Sequence, residues 1–308
     1  MLTTLAVVFP IFAIVLIGWL ARRFRVVDAA AFRTLRDVVF LLTMPAFLFI
    51  SIVQGPAFDF VGVSTAYFGA CLLIFGLGLG FARAIGLSMA RAAMLGLNSA
   101  YGNTVMIGIP VAVAALGADA LPPLLTIIAL HSAILLPLAG VLMEAEVEGA
   151  KRRSPATVVL GILKGTARNP IILAILFAFL WRTTGVALSA PLSDLLRMLG
   201  AAATPLALLC LGGSLPALDP RVLGTETLAA LILKLAALPA LVWLFGTWMQ
   251  LAPIPFAVAL LTAAMPTGAN AFLLAHRNDE LIEVSAGTVL VSTLLSIVTI
   301  SVMLRLVV

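Results

Sequence analysis

The sequence predicts an all-α polytopic membrane protein: ten transmembrane helices arranged as two inverted five-helix repeats. Three observations carry that expectation. Of 308 residues, 63% are hydrophobic and only 10% charged, with a mean hydropathy of +1.22, whereas a soluble domain runs at about 45–50% apolar and about 25% charged. Basic residues alternate between the two sets of connections, and prolines recur at a nearly constant offset between the halves. This composition excludes a soluble enzyme, a nucleic-acid binder and a disordered chain. The pI near 9.9 reflects charges in the gaps between apolar runs, where they report orientation in the bilayer rather than a polyanionic partner.

A membrane-crossing helix needs about 20 mostly apolar residues. Ten runs qualify: 3–21, 34–53, 61–83, 91–116, 121–143, 169–187, 194–215, 222–247, 254–276 and 282–306. The first begins without a basic leader and is followed by Arg22, Arg23 and Arg25, so it reads as a retained span rather than a cleaved signal. The third contains Gly76-Leu77-Gly78-Leu79-Gly80, which inside an apolar run suits close helix packing. Connections are short except 144–168, with eight charges in 25 residues. The chain therefore divides into a first repeat, 1–143, a cytoplasmic loop, 144–168, and a second, inverted repeat, 169–308.

With the amino terminus outside, the inside connections collect fourteen of the 18 basic residues. Arg182, Arg197 and Arg305 fall outside, and Lys234 lies within a span. Lys and Arg resist translocation, so the bias predicts ten crossings of the inner cell membrane with both termini outside.

Phe9-Pro10-Ile11 opens span one and Asn169-Pro170-Ile171 opens span six, 160 residues later. Pro45 in span two and Pro205 in span seven are also 160 apart, and Pro110 in span four is matched by Pro266 in span nine at 156. Five spans is an odd number, so a second copy must enter the bilayer upside down.

Spans four and nine are the most irregular. Asn98, Tyr101, Gly102, Asn103, Thr104, Gly108 and Pro110 interrupt the former; Pro266, Thr267, Gly268 and Asn270 cluster in the latter. Proline removes an N–H and clashes one turn back, and glycine permits unwinding. Broken backbone at bilayer depth must be buried in protein or line a wet cavity. Two readings stay open: a matched pair of binding breaks, or proline kinks with polar contacts between helices.

Two ionisable residues sit well inside spans, His131 in span five and Lys234 in span eight, and each is a functional hypothesis by its location. His131 either hydrogen-bonds a neighbouring helix as neutral imidazole or couples protons. Lys234 snorkels, braces a helix terminus or contacts an anion. Asp37, Asp59, Glu226 and Glu283 lie near span ends, so no carboxylate-rich cation site is expected. Broken-helix N-termini suit an anionic or neutral solute instead. HExxH, GxSxG and Walker A motifs are absent, and Cys71 and Cys210 read as buried small hydrophobes without metal or disulfide partners.

Gly102-Asn103-Thr104-Val105-Met106-Ile107-Gly108-Ile109-Pro110 resembles the span-four signature of the auxin efflux carrier family, which includes the plant PIN auxin exporters and bacterial malonate or malate carriers. Leu42 to Leu48, Arg168-Asn169-Pro170, Ala203 to Leu208 with Gly212-Gly213, Met265 to Asn270 and Ser292 to Ser296 fit the same family. The resemblance implies a scaffold domain and a transport domain, with broken spans four and nine crossing in the latter. It also places the solute near that crossing, at Asn103 and at Thr267 to Asn270. The long cytoplasmic loop of the plant exporters is reduced here to about 25 residues, so regulation through that loop does not carry over.

The expected function is secondary active or facilitative transport of a small organic anion, auxin-like or a dicarboxylate such as malonate or malate, by elevator or rocking alternating access. The expected substrate contacts are Asn103, Thr104, Gly108, Pro110, Pro266, Thr267, Gly268 and Asn270, with His131 and Lys234 as candidates for proton coupling or anion contact. No enzyme activity, metal or cofactor is expected beyond a coupling ion, H+ or Na+; the partners are the anion, membrane lipids and, by family resemblance, a second copy of the chain. The alternatives are a sodium-coupled symporter of the bile-acid carrier type and a membrane sensor that binds a ligand without moving it.

Overall fold

The computed structural model describes residues 2–55, 60–146, 154–214 and 223–307. Asp59, placed near a span end, and Lys151, Arg152, Arg153 and Arg221, four of the fourteen inside basic residues, lie outside the described residues. The architecture is helical throughout; among the described residues the one piece of β pairing is an isolated antiparallel bridge between Gly102 and Thr267. Among the described residues six rods are long and apolar enough to cross a membrane: Ala29–Gln54, Val61–Ala84, Ala118–Met143, Ala190–Ser214, Thr225–Trp248 and Ile282–Val307. This is a multi-pass membrane protein.

The helices in order are α1 (Leu2–Arg23), α2 (Ala29–Val38), α3 (Met44–Gln54), α4 (Phe60–Ala84), α5 (Met89–Ala100), α6 (Ile109–Leu116), α7 (Leu121–Met143) and α8 (Pro155–Ala167). Then come α9 (Pro170–Thr183), α10 (Ala190–Ala201), α11 (Ala203–Ser214), α12 (Thr225–Ile232), α13 (Leu238–Trp248), α14 (Pro253–Ala263), α15 (Ala269–Asn278) and α16 (Ile282–Val307). Predicted spans four and nine each appear as two short helices, α5 with α6 and α14 with α15. The segment 144–168, read from sequence as a loop, contains the helix α8, which packs on α7. Val158 and Ile162, four residues apart, give it a face to set against Gly140 of α7, while Leu160 and Leu163 point outward.

Proline explains a recurring distortion. Wide π turns at Val39–Thr43, Thr104–Gly108 and Leu233–Ala237 each precede a helix whose second residue is proline: Pro45, Pro110 and Pro239. A proline cannot donate to the carbonyl four residues back and its ring crowds that carbonyl, so the preceding turn widens. The chain keeps its direction at 39–43 and 233–237.

Two packing sets emerge, each built from both halves of the sequence. One contains α1, α2, α3, α9, α10 and α11: α1 lies along α11 and α3 along α9. The other contains α4 to α7 and α12 to α16. The α1–α11 contact depends on glycine, since a Cβ on Gly18 would strike the Leu209 carbonyl and one on Gly212 the Val15 carbonyl. Small residues let backbones approach where there is no hydrophobic drive to join helices in lipid. Of the Gly76–Gly80 run, only Gly78 has this role, with a Cβ position 2.9 Å from Ser99 Oγ and 3.1 Å from Gly96 Cα in α5; Gly76 and Gly80 face open space. Cys71 and Cys210 are free, buried thiols, as their apolar settings predict.

Candidate functional site at the helix crossing

The break in span four is not at Pro110. It falls at Tyr101-Gly102-Asn103, where Tyr101 is extended (φ −80°, ψ 114°) and Asn103 leaves helical geometry (φ −80°, ψ 66°). The break in span nine falls between Ala263 and Ala269 and includes Pro266. The two breaks meet. Asn103 donates its backbone N–H to the Pro266 carbonyl at 2.7 Å, and Gly268 donates to the Tyr101 carbonyl at 3.0 Å. Gly268 has no room for a side chain, because a Cβ would sit 2.8 Å from the Gly102 oxygen and 2.9 Å from the Tyr101 ring.

Other polar groups stranded by the breaks are satisfied from neighbouring helices, as burial requires. Thr267 donates its hydroxyl to the Asn98 carbonyl and its N–H to Ser292 Oγ, both at 2.9 Å. Asn98 reaches Ser285 at 2.8 Å. Lys234 Nζ donates to the Ala263 carbonyl at 2.7 Å, placing an ammonium at the carbonyl end of α14, where the helix dipole is negative. His131 Nε2 accepts a long bond, 3.4 Å, from the Gly102 N–H. Lys234 and His131 thus lie on the same side of Gly102, within 3.7 Å of where its Cβ would be.

On the other side of the crossing is a cavity of about 350 Å³ between the two packing sets. One wall comes from Phe40, Asn169, Ile171 and Ile172; the other from residues 101–106, Ser132 on α7, and 268–270 with Arg277 on α15; α8 contributes Gly161, Ile162 and Gly165. Two helix starts line it: the π turn leading into α6, and α15. Asn103 caps the first, its Oδ1 accepting from the Met106 N–H at 3.3 Å. Asn103 is only 8% exposed, yet its Nδ2 has no partner among the described residues and the residue lines the cavity. Asn270 Nδ2 bonds Tyr101 Oη at 2.9 Å, and that oxygen meets Ser132 Oγ at 2.9 Å. The described lining holds no Asp or Glu and one cation, Arg277. The open Asn103 amide together with two positive helix ends forms a surface complementary to a small anion.

Of the residues expected at a site, Asn103, Thr104, Gly268 and Asn270 line this cavity. Gly108, Pro110, Pro266 and Thr267 stand behind the lining and hold the breaks in shape, Gly108 by donating to the Asn103 carbonyl at 3.1 Å. His131 and Lys234 are buried and do not line it. Sequence reasoning missed Tyr101 as a site side chain, Ser132, Asn169 and Arg277. Asn169 was legible only as a helix start, and Arg277 only as a charge on the inner side. Among the described residues no cluster of His, Cys, Asp or Glu could hold a metal ion.

The profile of the family described as "Membrane transport protein" matches residues 3–304. A protein of Rhizobium meliloti (strain 1021) named "Putative malonate transporter" is 29% identical over 308 residues, covering 97% of this chain and 94% of that protein.

Proposed function

Because the chain belongs to the membrane transport protein family, that of the auxin efflux carriers its motifs resemble, we propose that it is a secondary carrier for a small organic anion bound where α5–α6 and α14–α15 cross. One observation carries this reading: Asn103, more than nine-tenths buried, directs an unpartnered amide into a cavity ringed by two helix N-termini and no carboxylate. A donor open to the cavity in this way gains about 1.5–3 kcal/mol from a charged acceptor such as a carboxylate.

In this proposal the chain crosses the inner membrane ten times, both termini outside, as repeats 1–143 and 169–308 joined by the cytoplasmic segment 144–168. The set containing α1 and α11 is the scaffold, and the set containing the crossing is the transport domain. Their symmetrical makeup, α1 on α11 and α3 on α9, is what exchange of two inverted copies would produce. The cavity lies between the sets, so sliding or rocking one against the other changes which side it opens to. A homodimer and a coupling ion, H+ or Na+, complete the reading.

The malonate named in the relative makes that dianion the first probe. Counterflow of labelled malonate into proteoliposomes is expected, and is expected to vanish in Asn103→Asp. Malonate binding without counterflow would identify a sensor instead, and flux that requires a sodium gradient would identify a sodium symporter.

A further inference from the structure

We infer that Arg277, with Asn169 opposite, forms a second anion subsite in the same cavity, the one that receives the far carboxylate of a short linear dicarboxylate. The inference rests on the transport reading and assigns residues to the second charge of its solute. Asn270, Leu273, Leu274 and Arg277 line the cavity together, and their spacing of three, four and seven residues places them on one face of α15. The same helix face therefore carries the amide end of the site and its cation.

The dimensions fit a dianion. From Asn270 to Arg277 is seven residues, about 10 Å along a helix at about 1.5 Å per residue. A three- or four-carbon diacid with a hydrogen bond of about 2.9 Å at each of its ends spans a comparable distance. Across the cavity, Asn169 caps α9 through Oδ1, which accepts from the Ile171 N–H at 2.9 Å; its Nδ2 is left as a donor on the cavity wall. Arg277 forms no ion pair among the described residues, whereas Arg91 on α5 pairs with Glu280, just beyond α15, at 3.9 Å. A planar guanidinium matches a carboxylate in two parallel hydrogen bonds.

The competing role for Arg277 is structural, a cation in the last turn of α15 that complements the helix dipole and anchors the inner side of the membrane. Selectivity separates the two. Binding of malonate and acetate would be measured by calorimetry on wild type, Arg277→Gln and Arg277→Lys in phosphatidylcholine nanodiscs, which carry no anionic lipid. Arg277→Gln is expected to lower the malonate-to-acetate affinity ratio about ten-fold, and Arg277→Lys to restore part of it. Because the side chain is exposed, folding should be intact, checked by thermal unfolding. An unchanged ratio in Arg277→Gln, with malonate binding still lost in Asn103→Asp, overturns the dicarboxylate subsite and leaves the carrier reading standing. Wild-type protein that binds neither probe overturns both.

Discussion

Asn103 and Pro266, far apart in sequence, are joined by a backbone hydrogen bond of 2.7 Å. With the reciprocal bond from Gly268 to Tyr101 it makes two interrupted helices into one rigid crossing. A pair of antiparallel backbone bonds fixes position more tightly than side-chain contacts would, because neither partner has rotamer freedom. The amides of the next turns are thereby held in place before any solute arrives, and preorganisation of this kind reduces the ordering cost of binding.

Asn103 has two functions that can be separated. Its Oδ1 caps the helix start and its Nδ2 faces the cavity. Asn103→Asp keeps the cap and replaces the donor with a negative charge, so thermal stability should change little while malonate affinity is lost. Asn103→Ala should also lose the cap, with a destabilisation of about 1 kcal/mol. Thermal unfolding alongside calorimetry reads both quantities.

Gly268→Ala should be severe. Its φ of −79° is ordinary for any residue, so the effect is steric: the new methyl would press on the Gly102 oxygen and the Tyr101 ring. Overpacking of this kind costs about 1–3 kcal/mol, and the crossing would open. Gly76→Ala, with nothing within 4 Å, should be neutral or stabilising by about 0.5–1 kcal/mol, since alanine is the better helix former. Denaturation midpoints of the two variants test the contrast.

Lys234 is expected to brace the fold rather than touch the solute. Its ammonium is fully buried and bound to the end of α14, outside the cavity lining. Lys234→Met should destabilise the protein by about 1–3 kcal/mol by leaving the Ala263 carbonyl unpaired, with malonate affinity of the folded fraction retained. A loss of affinity without a loss of stability would place Lys234 in contact with the anion.

His131 accepts the Gly102 N–H, which only an unprotonated nitrogen can do. His131→Phe keeps the ring packing against Tyr67, Phe68 and Tyr101 and deletes the acceptor. Loosening of the break should lower stability by about 1 kcal/mol while the shape of the uptake–pH profile between pH 5 and 8 is preserved. A flattened profile would make His131 the proton-coupling group.

Much of this organisation was legible before any coordinates. The proline and glycine clusters marked spans four and nine as broken, because their backbone effects are local and act in any helix. Asn103 and Asn270 stood out because polar amides inside apolar runs are conspicuous. Which of the seven interrupting residues of span four makes the break was not legible: Pro110 widens the turn from Thr104 to Gly108, while the break lies at Tyr101 to Asn103, where span nine supplies hydrogen bonds. Arg277 and Asn169 were hidden because a basic residue near a span end and an asparagine before proline already have sufficient local explanations.

Composition and periodicity by themselves determined that the chain is a helical membrane protein with two interrupted spans, since burial in lipid forces every backbone amide to be satisfied and penalises each departure from an apolar helix. Only the tertiary structure decided that the two interruptions pair with each other, that Lys234 and His131 fall behind them, and that Arg277 looks into the cavity in front. Those outcomes depend on which helices pack together, a matter of shape and glycine-permitted approach between segments far apart in the chain.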